Sequence, residues 1–555
     1  MRKRRRGLAP AVRKRRRPAA PATPQPGATA RIVRNECWAR LAAASDRGVT
    51  EAVYQLLRFR PEGYRFMPRY KSGLWDGYIS LYRRRDRVFP GGLAERTAKH
   101  LKSLGVEVTV EDRSQPPLRE PQLEGGTSTV ELRDYQRQAV EAAVAARAGV
   151  LESATGTGKT EVLAAIIQRL ACRTLIIVAS RDLAWQTIER FQRSLSFPNA
   201  PPDALYGLVG DDIDSPGLIT ASLYQTLHRR LTPVCEHCGR PGEVGAGTCS
   251  NKRCLGALDY SRAEATQEWL ASFDCLALDE SHHAPAKSYW PIVNSCPAYW
   301  RFGLSATPFK SDLITELKLV GATGEVFYSF KAKEAVKEGW LAEPLVTIVK
   351  PSFPPLNEED LSYMTVYREG IVEHEHRNRL IADIAAVTSE GWGVPTLILV
   401  QWIEHGKAIR RALRQLDIKA DFISGRAPTE QRQAALRALG DGSAKCLISS
   451  VIFDEGVDAP EIGALILAGG SKARHRVIQR IGRGLRVAPG KEYLAVFDIY
   501  DSHSPKYLLP HSRQRLRAVR DAGFAWQELT PDEVMARLST GDMRSDGATQ
   551  EGSDG

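Results

Sequence analysis

The stretch Leu151-Glu-Ser-Ala-Thr-Gly-Thr-Gly-Lys-Thr160 places two glycines, a lysine and a threonine where a short apolar strand meets a helix. Gly156 and Gly158 let the backbone wrap a polyphosphate without clashes of a Cβ atom, and the first amides of the helix point at the anion. Lys159 can reach the β- and γ-phosphates, and the Thr160 hydroxyl can hold Mg²⁺. The stretch therefore predicts a nucleotide-binding loop.

A pair of acidic residues follows a second apolar strand. The strand predicted over Phe273 to Leu278 ends in Asp279-Glu280-Ser-His-His283. An acid at the carboxyl end of a parallel strand faces the ligand crevice. Asp279 can bind the Mg²⁺, directly or through water, and Glu280 can polarise the attacking water. A capping or solvated pair of acids is the alternative, and the upstream loop favours ATP hydrolysis.

Arginines are expected to complete this site from another part of the chain. The segment Gln479-Arg-Ile-Gly-Arg-Gly-Leu-Arg486 begins in a helical context. Arg483 and Arg486 are spaced i,i+3 and share one face of a helix. Phosphoryl transfer depends on positioning and charge neutralisation, so arginines supplied from across a cleft can accelerate it. A surface helix with exposed arginines is the alternative.

Two tandem units of alternating strands and helices surround these motifs, over residues 127–343 and 344–505. Buried strands are predicted at Thr174–Val178, Cys275–Leu278, Tyr299–Phe302, Thr396–Val400, Cys446–Ser449, Ala464–Leu467 and Leu494–Phe497. This alternation implies an α/β fold of two doubly wound parallel sheets with a cleft between them. A C-terminal helical extension is expected at 506–540, with a basic helix at Ser512–Ala522, and a disordered tail at 541–555.

The charge of the chain is unevenly distributed. The 555 residues carry a net charge of +12, and Arg2 to Arg17 alone hold ten Lys/Arg residues and no acid. Residues 31–124 hold 18 basic and 12 acidic side chains. Affinity for a polyanion is therefore expected in the N-terminal quarter. Residues 1–30 are interpreted as a disordered basic arm, which binds nucleic acid, acts as a nuclear localisation signal, or is a solvated tail.

Residues 31–124 are expected to form a small α+β accessory domain that binds DNA. Helices are predicted at Val49–Leu57 and Leu93–Leu104, and strands at Tyr78–Tyr82 and Val106–Val110. Within Gly63-Tyr-Arg-Phe-Met-Pro-Arg-Tyr-Lys-Ser-Gly-Leu-Trp-Asp-Gly77, cations alternate with aromatic residues. The cations are Arg65, Arg69 and Lys71, and the aromatic residues are Tyr64, Phe66, Tyr70 and Trp75. This pattern indicates a nucleic-acid surface; the alternative is that the aromatic residues form a small core.

Four cysteines form a cluster, whereas the other five are scattered singly, as expected in a reducing compartment. Cys235, Cys238, Cys249 and Cys254 follow the pattern C-x₂-C-x₁₀-C-x₄-C. The two cysteine pairs of this pattern can offer four thiolates to a tetrahedral zinc ion. A zinc ribbon is therefore predicted as an insertion at 232–260, in which His237 is a competing ligand. Nearby cations suggest that the insertion contacts nucleic acid. The alternative is that the metal only stabilises a short insertion that has too little core of its own.

In this order, the motifs of residues 130–500 resemble those of the superfamily 2 helicases. The resemblance implies two RecA-like domains and a loop of helicase form from Ala154 to Thr160, although Ser153 stands where the general loop has glycine. The implied nucleotide contacts are Arg133, Gln136, Thr155, Gly156, Thr157, Gly158, Lys159, Thr160, Gly456 and Asp458. The implied nucleic-acid contacts in the first unit are Ser180, Arg181 and Thr220. Gln479 would position the water or the γ-phosphate, and Ser305 and Thr307 would couple hydrolysis to domain closure.

The acidic motif Asp279-Glu-Ser-His282 and the glutamine at position 479 are similar to those of the branch that includes XPB and the UvsW-like phage helicases. The Gly63–Gly77 segment resembles the segment that precedes the motor in the UvsW-like proteins. The cysteine insertion departs from that pattern. This branch translocates mostly on DNA.

These features predict an ATP- and Mg²⁺-dependent DNA helicase or translocase that acts on branched DNA in replication, recombination or repair. The alternative enzymes are an RNA-directed helicase and the motor subunit of a restriction system. The alternative that is not a motor is an ATP-gated clamp, which binds or anneals strands without unwinding them. R-loop RNA is a further candidate partner, and a monomer is expected. No apolar run approaches the ~20 residues of a membrane span, and the charged N-terminus does not resemble a secretory signal. A bacterial cytoplasm, with or without phage infection, is the expected location.

Overall fold

The structure is a computed structural model. It describes residues 22–61, 63–117, 123–210, 212–243, 246–251, 253–254, 256–309, 313–425, 427–450, 461–470, 474–488, 491–541 and 543. The chain divides into two compact units, Met1–Ser114 and Gln115–Gly555. The predicted nucleotide contacts Gly456 and Asp458 lie outside the described residues, as do residues 1–21 of the predicted arm and most of the predicted tail.

The N-terminal unit is built on a four-stranded sheet. Its strands, in spatial order, are Val88–Pro90, Trp38–Ala44, Thr29–Arg34 and Glu107–Asp112. Its longer helices are Arg47–Leu56 and Ala94–Ser103. Shorter elements are the strands Arg58–Phe59 and Ile79–Ser80, the 3₁₀ turns Tyr64–Phe66 and Gly91–Leu93, and the helix Pro68–Lys71.

The predictions for this unit were right for both helices and for the last strand. The predicted arm, however, extends too far, because Thr29 and Ala30 already belong to a strand. The strand predicted over Tyr78–Tyr82 is limited to Ile79–Ser80. The strand Trp38–Ala44 was not predicted, because its four alanines give little strand signal.

The first sheet of the larger unit has eight strands. In spatial order they are Ile213–Ser215, Tyr206–Gly210, Ile219–Leu223, Thr174–Val178, Cys275–Leu278, Trp300–Ser305, Ala148–Ser153 and Val326–Phe330. Only Ile213–Ser215 pairs antiparallel among these strands. The main helices are Asp134–Ala146, Lys159–Leu170, Arg181–Ser194, Tyr224–Leu231, Ser261–Leu270, Trp290–Ser295, Leu313–Thr323 and Ala332–Lys337. We call this part of the unit the first lobe.

The second sheet has seven parallel strands. In spatial order they are Asp421–Ile423, Cys446–Ser450, Thr396–Val400, Ala464–Leu467, Tyr493–Ile499, Glu343–Val349 and Ala525–Leu529. The main helices are Tyr363–Tyr367, Glu375–Ala386, Ile403–Arg414, Thr429–Gly440, Arg474–Arg483, Leu508–Asp521 and Pro531–Thr540. We call this part the second lobe.

Both sheets are covered on both faces, as the continuous apolar runs predicted. In the strand Thr174–Val178, for example, Ile176 and Val178 join one core cluster, and Leu175 and Ile177 join another. The α/β prediction of two doubly wound parallel sheets is therefore confirmed. The predicted C-terminal helical extension is wrong in one respect, since Ala525–Leu529 forms an edge strand of the second sheet.

A buried ionic cluster ties the helices of the second lobe to its sheet. Arg377 donates hydrogen bonds from Nε and Nη2 to Asp501 at 2.7 and 3.3 Å and from Nη1 to the carbonyl of Ala468 at 2.9 Å. Arg515 donates from Nε to Asp498 at 2.9 Å.

Among the helices that the structure describes, none is both long and apolar enough to cross a bilayer.

Candidate active site

The glycine-lysine loop joins the strand Ala148–Ser153 to the helix Lys159–Leu170. Gly156 and Gly158 have φ values of +88° and +81°, a region that side chains rarely adopt. The Lys159 ammonium donates to the carbonyls of Ser153 at 3.1 Å and Ala154 at 3.3 Å. Burial lowers the pKa of Lys159, although the neighbouring Glu280 and Asp279 carboxylates favour its charged form.

A cavity of about 860 Å³ opens over this loop between the two lobes. Its lining includes Thr155, Gly156, Gly158, Lys159, Thr160, Asp279, Glu280, Arg483 and Arg486. The structure therefore brings together the predicted phosphate loop, both predicted acids and both predicted arginines. The cavity extends between the helices Arg181–Ser194 and Thr429–Gly440, which contribute Arg190 and Arg437 among others.

The two acids differ in their pKa values. Burial and the adjacent Glu280 carboxylate raise the pKa of Asp279 to about 6. Burial also acts to raise the pKa of Glu280, but a hydrogen bond with His282 and the charge of Lys159 outweigh it and hold that pKa at about 2. Glu280 also has left-handed backbone, with φ at 47°, a conformation that costs about 1–3 kcal/mol and that clusters at functional sites.

Contacts across the cavity join the lobes directly. The Gln479 side chain donates from Nε2 to Glu280 Oε2 at 3.3 Å. Arg432 of the second lobe donates to Asp182 of the first at 2.6 Å. A Cβ atom added to Gly482 would lie 2.8 Å from Thr155 Cβ. The phosphate loop is thus in van der Waals contact with the helix Arg474–Arg483, which carries Arg483. The prediction that both arginines share one helical face is wrong, because Arg486 follows the end of this helix and forms a β-bridge with Leu341.

The acid Glu280 is also connected to the predicted coupling segment. His282 Nδ1 lies 3.3 Å from Glu280 Oε2 and 3.3 Å from the Ser305 hydroxyl. The Ser305 hydroxyl in turn accepts from the backbone amide of Thr307 at 3.2 Å. Gln479, Glu280, His282 and Ser305 therefore form one continuous chain of polar contacts. No role was predicted for His282 from its position in the acidic motif.

Arg133 and Gln136, which are predicted nucleotide contacts, lie at the start of the helix Asp134–Ala146. Gln136 is buried, accepts from the Arg133 amide at 2.9 Å and donates to the Thr157 carbonyl at 3.1 Å. The Arg133 guanidinium lies 4.3 Å from the ring centroid of Trp340. The Gln136 side chain therefore braces the phosphate loop in this structure. Trp340 is an aromatic neighbour of this site that was not predicted from the sequence.

The predicted nucleic-acid contacts of the first lobe occupy different environments. Ser180 caps the helix Arg181–Ser194 and accepts from the Leu183 amide at 3.4 Å. Thr220 is fully buried, and its hydroxyl accepts from the Gly217 amide at 3.0 Å and donates to the Gly217 carbonyl at 2.8 Å. The prediction for Thr220 is therefore corrected, because its hydroxyl stabilises a turn and cannot reach a polynucleotide.

In the N-terminal unit, Arg65, Arg69 and Lys71 are exposed, as a nucleic-acid contact requires.

The four clustered cysteines converge within the insertion. Their Sγ atoms all lie within 4.8 Å of one another, and the pairs Cys235–Cys254 and Cys238–Cys249 are 3.7 Å apart. Four sulfurs at the usual Zn–S bond length of ~2.3 Å would be separated by roughly 3.8 Å in a tetrahedron. The cysteine group therefore fits zinc. Hydrogen bonds from backbone amides, that of Cys238 first, lower the pKa of Cys235 to about 6 and favour its thiolate.

The insertion has little core besides these sulfurs. Val234–Cys235 pairs antiparallel with Leu258–Asp259, and Leu258 is the buried apolar partner of the cysteines. A Cβ atom added to Gly256 would lie 2.9 Å from Cys235 Sγ. His237 is not part of the four-residue group that could hold a metal, so the geometry favours four cysteines over a histidine-containing set.

Three family models match the chain in succession. "DNA helicase UvsW, N-terminal" matches residues 34–111, "Type III restriction enzyme, res subunit" matches 129–310, and "Helicase conserved C-terminal domain" matches 377–488. The second and third models fall on the two lobes that enclose the cavity.

Whole-chain comparisons agree with these matches. The ATP-dependent DNA helicase uvsW of Enterobacteria phage T4 is 24% identical over 513 residues, which cover 85% of this chain and 95% of the relative. The DNA 3'-5' translocase XPB2 of Sulfurisphaera tokodaii is 26% identical, with 69% of this chain and 85% of the relative covered. The solved structure of the ATP-dependent Type ISP restriction-modification enzyme LlaBIII bound to DNA has a TM-score of 0.51 at 16% identity, covers 75% of this chain and 32% of that chain, and supports the fold alone.

Proposed function

Because the chain is a UvsW-like helicase of superfamily 2, we propose that it is an ATP-driven DNA motor that remodels branched DNA, such as forks, junctions and R-loops, in recombination and repair. ATP binds between the two lobes, and its hydrolysis opens and closes the cleft. Repeated closure moves the nucleic-acid contacts of each lobe along a strand. The relatives' names support DNA over RNA as the substrate.

The main support for this proposal is a contact between the two lobes at the cavity. Gln479 of the second lobe contacts Glu280 of the first at 3.3 Å, in a cavity that Lys159, Arg483 and Arg486 also line. Each lobe therefore supplies part of one hydrolytic site, so that hydrolysis depends on the relative position of the lobes. A protein that only binds strands has no need of such a divided site.

Helicase domains use ATP and Mg²⁺, and the residues present suit both. Lys159 and the arginines neutralise the phosphate oxygens, and Thr160 and Asp279 would hold the metal ion. Glu280 stays ionised because its pKa is held at about 2, and it can therefore accept a hydrogen bond from the attacking water. Mg²⁺ supplies charge neutralisation between the phosphates when it is bound.

The decisive experiment compares ATP hydrolysis with and without DNA for the wild type and for Lys159→Ala. We expect DNA to stimulate the wild type, and the variant to lose hydrolysis while it keeps most of its DNA affinity. Lys337→Ala, which removes an exposed lysine of the same lobe, is the matched control. Equal hydrolysis by wild type and Lys159→Ala would refute the motor and leave a strand-annealing clamp.

The substrate class needs a second assay. Unwinding is measured on forks, Holliday junctions, R-loops and RNA duplexes of matched length, with the protein's mass in solution determined in parallel. We expect activity on the branched DNA and R-loops and a monomeric protein. Activity confined to RNA duplexes would favour the RNA-directed alternative.

We further propose that the insertion holds one structural zinc ion on Cys235, Cys238, Cys249 and Cys254. The 3.7 Å sulfur separations support this proposal, as does the small apolar core of the insertion, which leaves the metal as its main source of stability. Elemental analysis of the purified protein tests it, and a zinc-to-protein ratio near zero would refute it.

A further inference from the structure

The Gly63–Gly77 segment of the N-terminal unit has two parts. Its scaffold is the packed set Tyr64, Tyr70, Trp75, Asp76 and Gly77, and its tip is the exposed set Arg65, Phe66, Met67, Arg69, Lys71 and Leu74. In the scaffold, the rings of Tyr64 and Tyr70 meet edge to face at 4.9 Å. Gly77, with φ at +86°, lies against them, and a Cβ atom there would approach Tyr64 Cδ2 to 2.6 Å. The last residue of the Gly63–Gly77 segment must therefore be glycine for the two rings to pack.

The other scaffold groups are also engaged within the unit. Trp75 donates from Nε1 to the Tyr78 carbonyl at 2.7 Å, and Asp76 accepts from the Tyr78 amide at 3.0 Å. The Arg58 and Arg60 guanidinium groups lie 4.0 and 4.3 Å from the Tyr78 ring centroid. These aromatic rings are therefore used to hold the segment in shape.

The tip residues, by contrast, project from this scaffold. Phe66 is 78% exposed, Leu74 77% and Met67 40%. Lys71 Nζ lies 6.0 Å from the Phe66 ring centroid, and Arg65 and Arg69 are exposed beside it. The interpretation of these residues as a small core is therefore wrong for Phe66. Single exposed apolar side chains are common on protein surfaces, but several on one short segment, as with Phe66, Met67 and Leu74, are typical of a contact surface.

The charge of the tip identifies the class of partner. From Gly63 to Trp75 the sequence carries three cations and no carboxylate. Cations around an aromatic face match a polynucleotide, which offers phosphates and flat bases together. Bases in a duplex are stacked on each other, so a free base face is available only where the strands are unpaired.

We propose that Phe66 stacks on an unpaired base where single-stranded DNA meets duplex, and that Arg65, Arg69 and Lys71 hold the flanking phosphates. This inference rests on the proposed function and deepens it, because it assigns recognition of the branch point to one residue outside the motor lobes. The cations provide affinity for any DNA, whereas Phe66 distinguishes a fork from a continuous duplex.

The test uses the full-length protein and measures its affinity for a fork and for a blunt duplex of equal length over a range of salt concentrations. Phe66→Ala is expected to weaken fork binding by about 5- to 100-fold, with duplex binding and the salt slope unchanged. Phe66→Tyr, which keeps the ring, should bind like the wild type. Arg69→Ala should weaken binding to both DNAs and reduce the salt slope by about one.

Leu104→Ala is the matched control, because Leu104 is also an exposed apolar residue of this unit, 43% exposed, on a different element. It should change neither affinity. The proposal is overturned if Phe66→Ala binds the fork like the wild type, if it loses fork and duplex equally, or if Phe66→Tyr is as defective as Phe66→Ala. The first of these outcomes would leave the tip as a surface for a protein partner. A wild type that neither binds forks nor hydrolyses ATP would instead refute the proposed function.

Discussion

The side-chain nitrogen Nε2 of Gln479 lies 3.3 Å from Oε2 of Glu280, although the two residues are 199 positions apart in the chain. This contact connects the helix Arg474–Arg483 of the second lobe to the acid that follows the strand Cys275–Leu278 of the first. Glu280 also contacts His282, so the same carboxylate is in contact with the second lobe and with the acidic motif of the first.

Gln479→Ala should therefore slow hydrolysis without preventing ATP binding. The variant removes a donor to Glu280 that is available only when the lobes meet, and we expect kcat for ATP to fall about 10- to 100-fold with KM changed much less. Steady-state kinetics with saturating DNA measures this effect. Gln433→Ala is the matched control, since Gln433 lines the same cavity from the helix Thr429–Gly440; equal losses in the two variants would contradict the role of the Gln479 contact.

His282→Ala should shift the pH dependence of hydrolysis. The hydrogen bond with His282 lowers the pKa of Glu280, so its removal raises that pKa. Glu280 must be ionised to act on water, and its activity is lost as the pH falls through its pKa. The wild-type acid limb is set by Asp279, whose pKa is about 6, and the variant should lose activity more steeply below that pH as the pKa of Glu280 rises from about 2. Ser305→Ala, which leaves His282 and Glu280 in place, should keep the wild-type profile; a shift of the same size in both variants would contradict this assignment.

The strands of the motor lobes could be predicted closely from sequence. Thr174–Val178, Thr396–Val400 and Ala464–Leu467 have the predicted bounds. They are buried on both faces, so their sequences are continuous apolar runs that need no partner to be recognised. The phosphate loop and the acidic pair were identifiable for a similar reason, because their chemistry resides in adjacent residues.

The missed features depend on residues distant in sequence. Trp340 contacts Arg133 from the opposite end of the first lobe's sequence. Arg377 and Asp501 form an ion pair although they are 124 positions apart. Thr220 was misassigned because a threonine that stabilises a turn and one that contacts a strand look alike in sequence. In the N-terminal unit, only the structure separates Phe66 at the tip from Tyr64 in the scaffold.

Asp501→Ala should be among the most destabilising substitutions in the second lobe. It leaves the buried Arg377 guanidinium without its carboxylate, and loss of one partner of a buried ion pair costs about 3–5 kcal/mol. Thermal unfolding measures the loss as a lower melting temperature. Glu528→Ala breaks the exposed pair with Lys350 in the same lobe and should cost about 1 kcal/mol or less; a comparable loss in both variants would show that burial does not set the difference.

Cys238→Ser should remove the metal from the insertion. It replaces one of the four sulfurs that lie within 4.8 Å of one another, and we expect the zinc content to fall from about one per chain to near zero. His237→Ala is the control, because it removes a potential ligand from the same turn and should keep the metal. Elemental analysis of both variants measures this difference, and metal loss in His237→Ala with retention in Cys238→Ser would reverse the ligand assignment.

Gly482→Ala should separate stability from activity. Alanine favours a helix over glycine by up to about 1 kcal/mol, and Gly482 is the second-to-last residue of the helix Arg474–Arg483, so that helix should be no less stable. The new Cβ atom, however, would lie 2.8 Å from Thr155 Cβ of the phosphate loop, which is too close for two non-bonded carbon atoms, so we expect the helix and the loop to move apart. We expect DNA-stimulated hydrolysis to fall about tenfold or more while the melting temperature stays level or rises.

Gly425→Ala is the control for this prediction. The atom nearest to its new Cβ would be 3.6 Å away, so this variant should leave hydrolysis unchanged. Thr155→Gly makes room opposite Gly482, so it should restore part of the lost activity in the double variant; additive losses would mean that the two residues do not meet when the cleft closes.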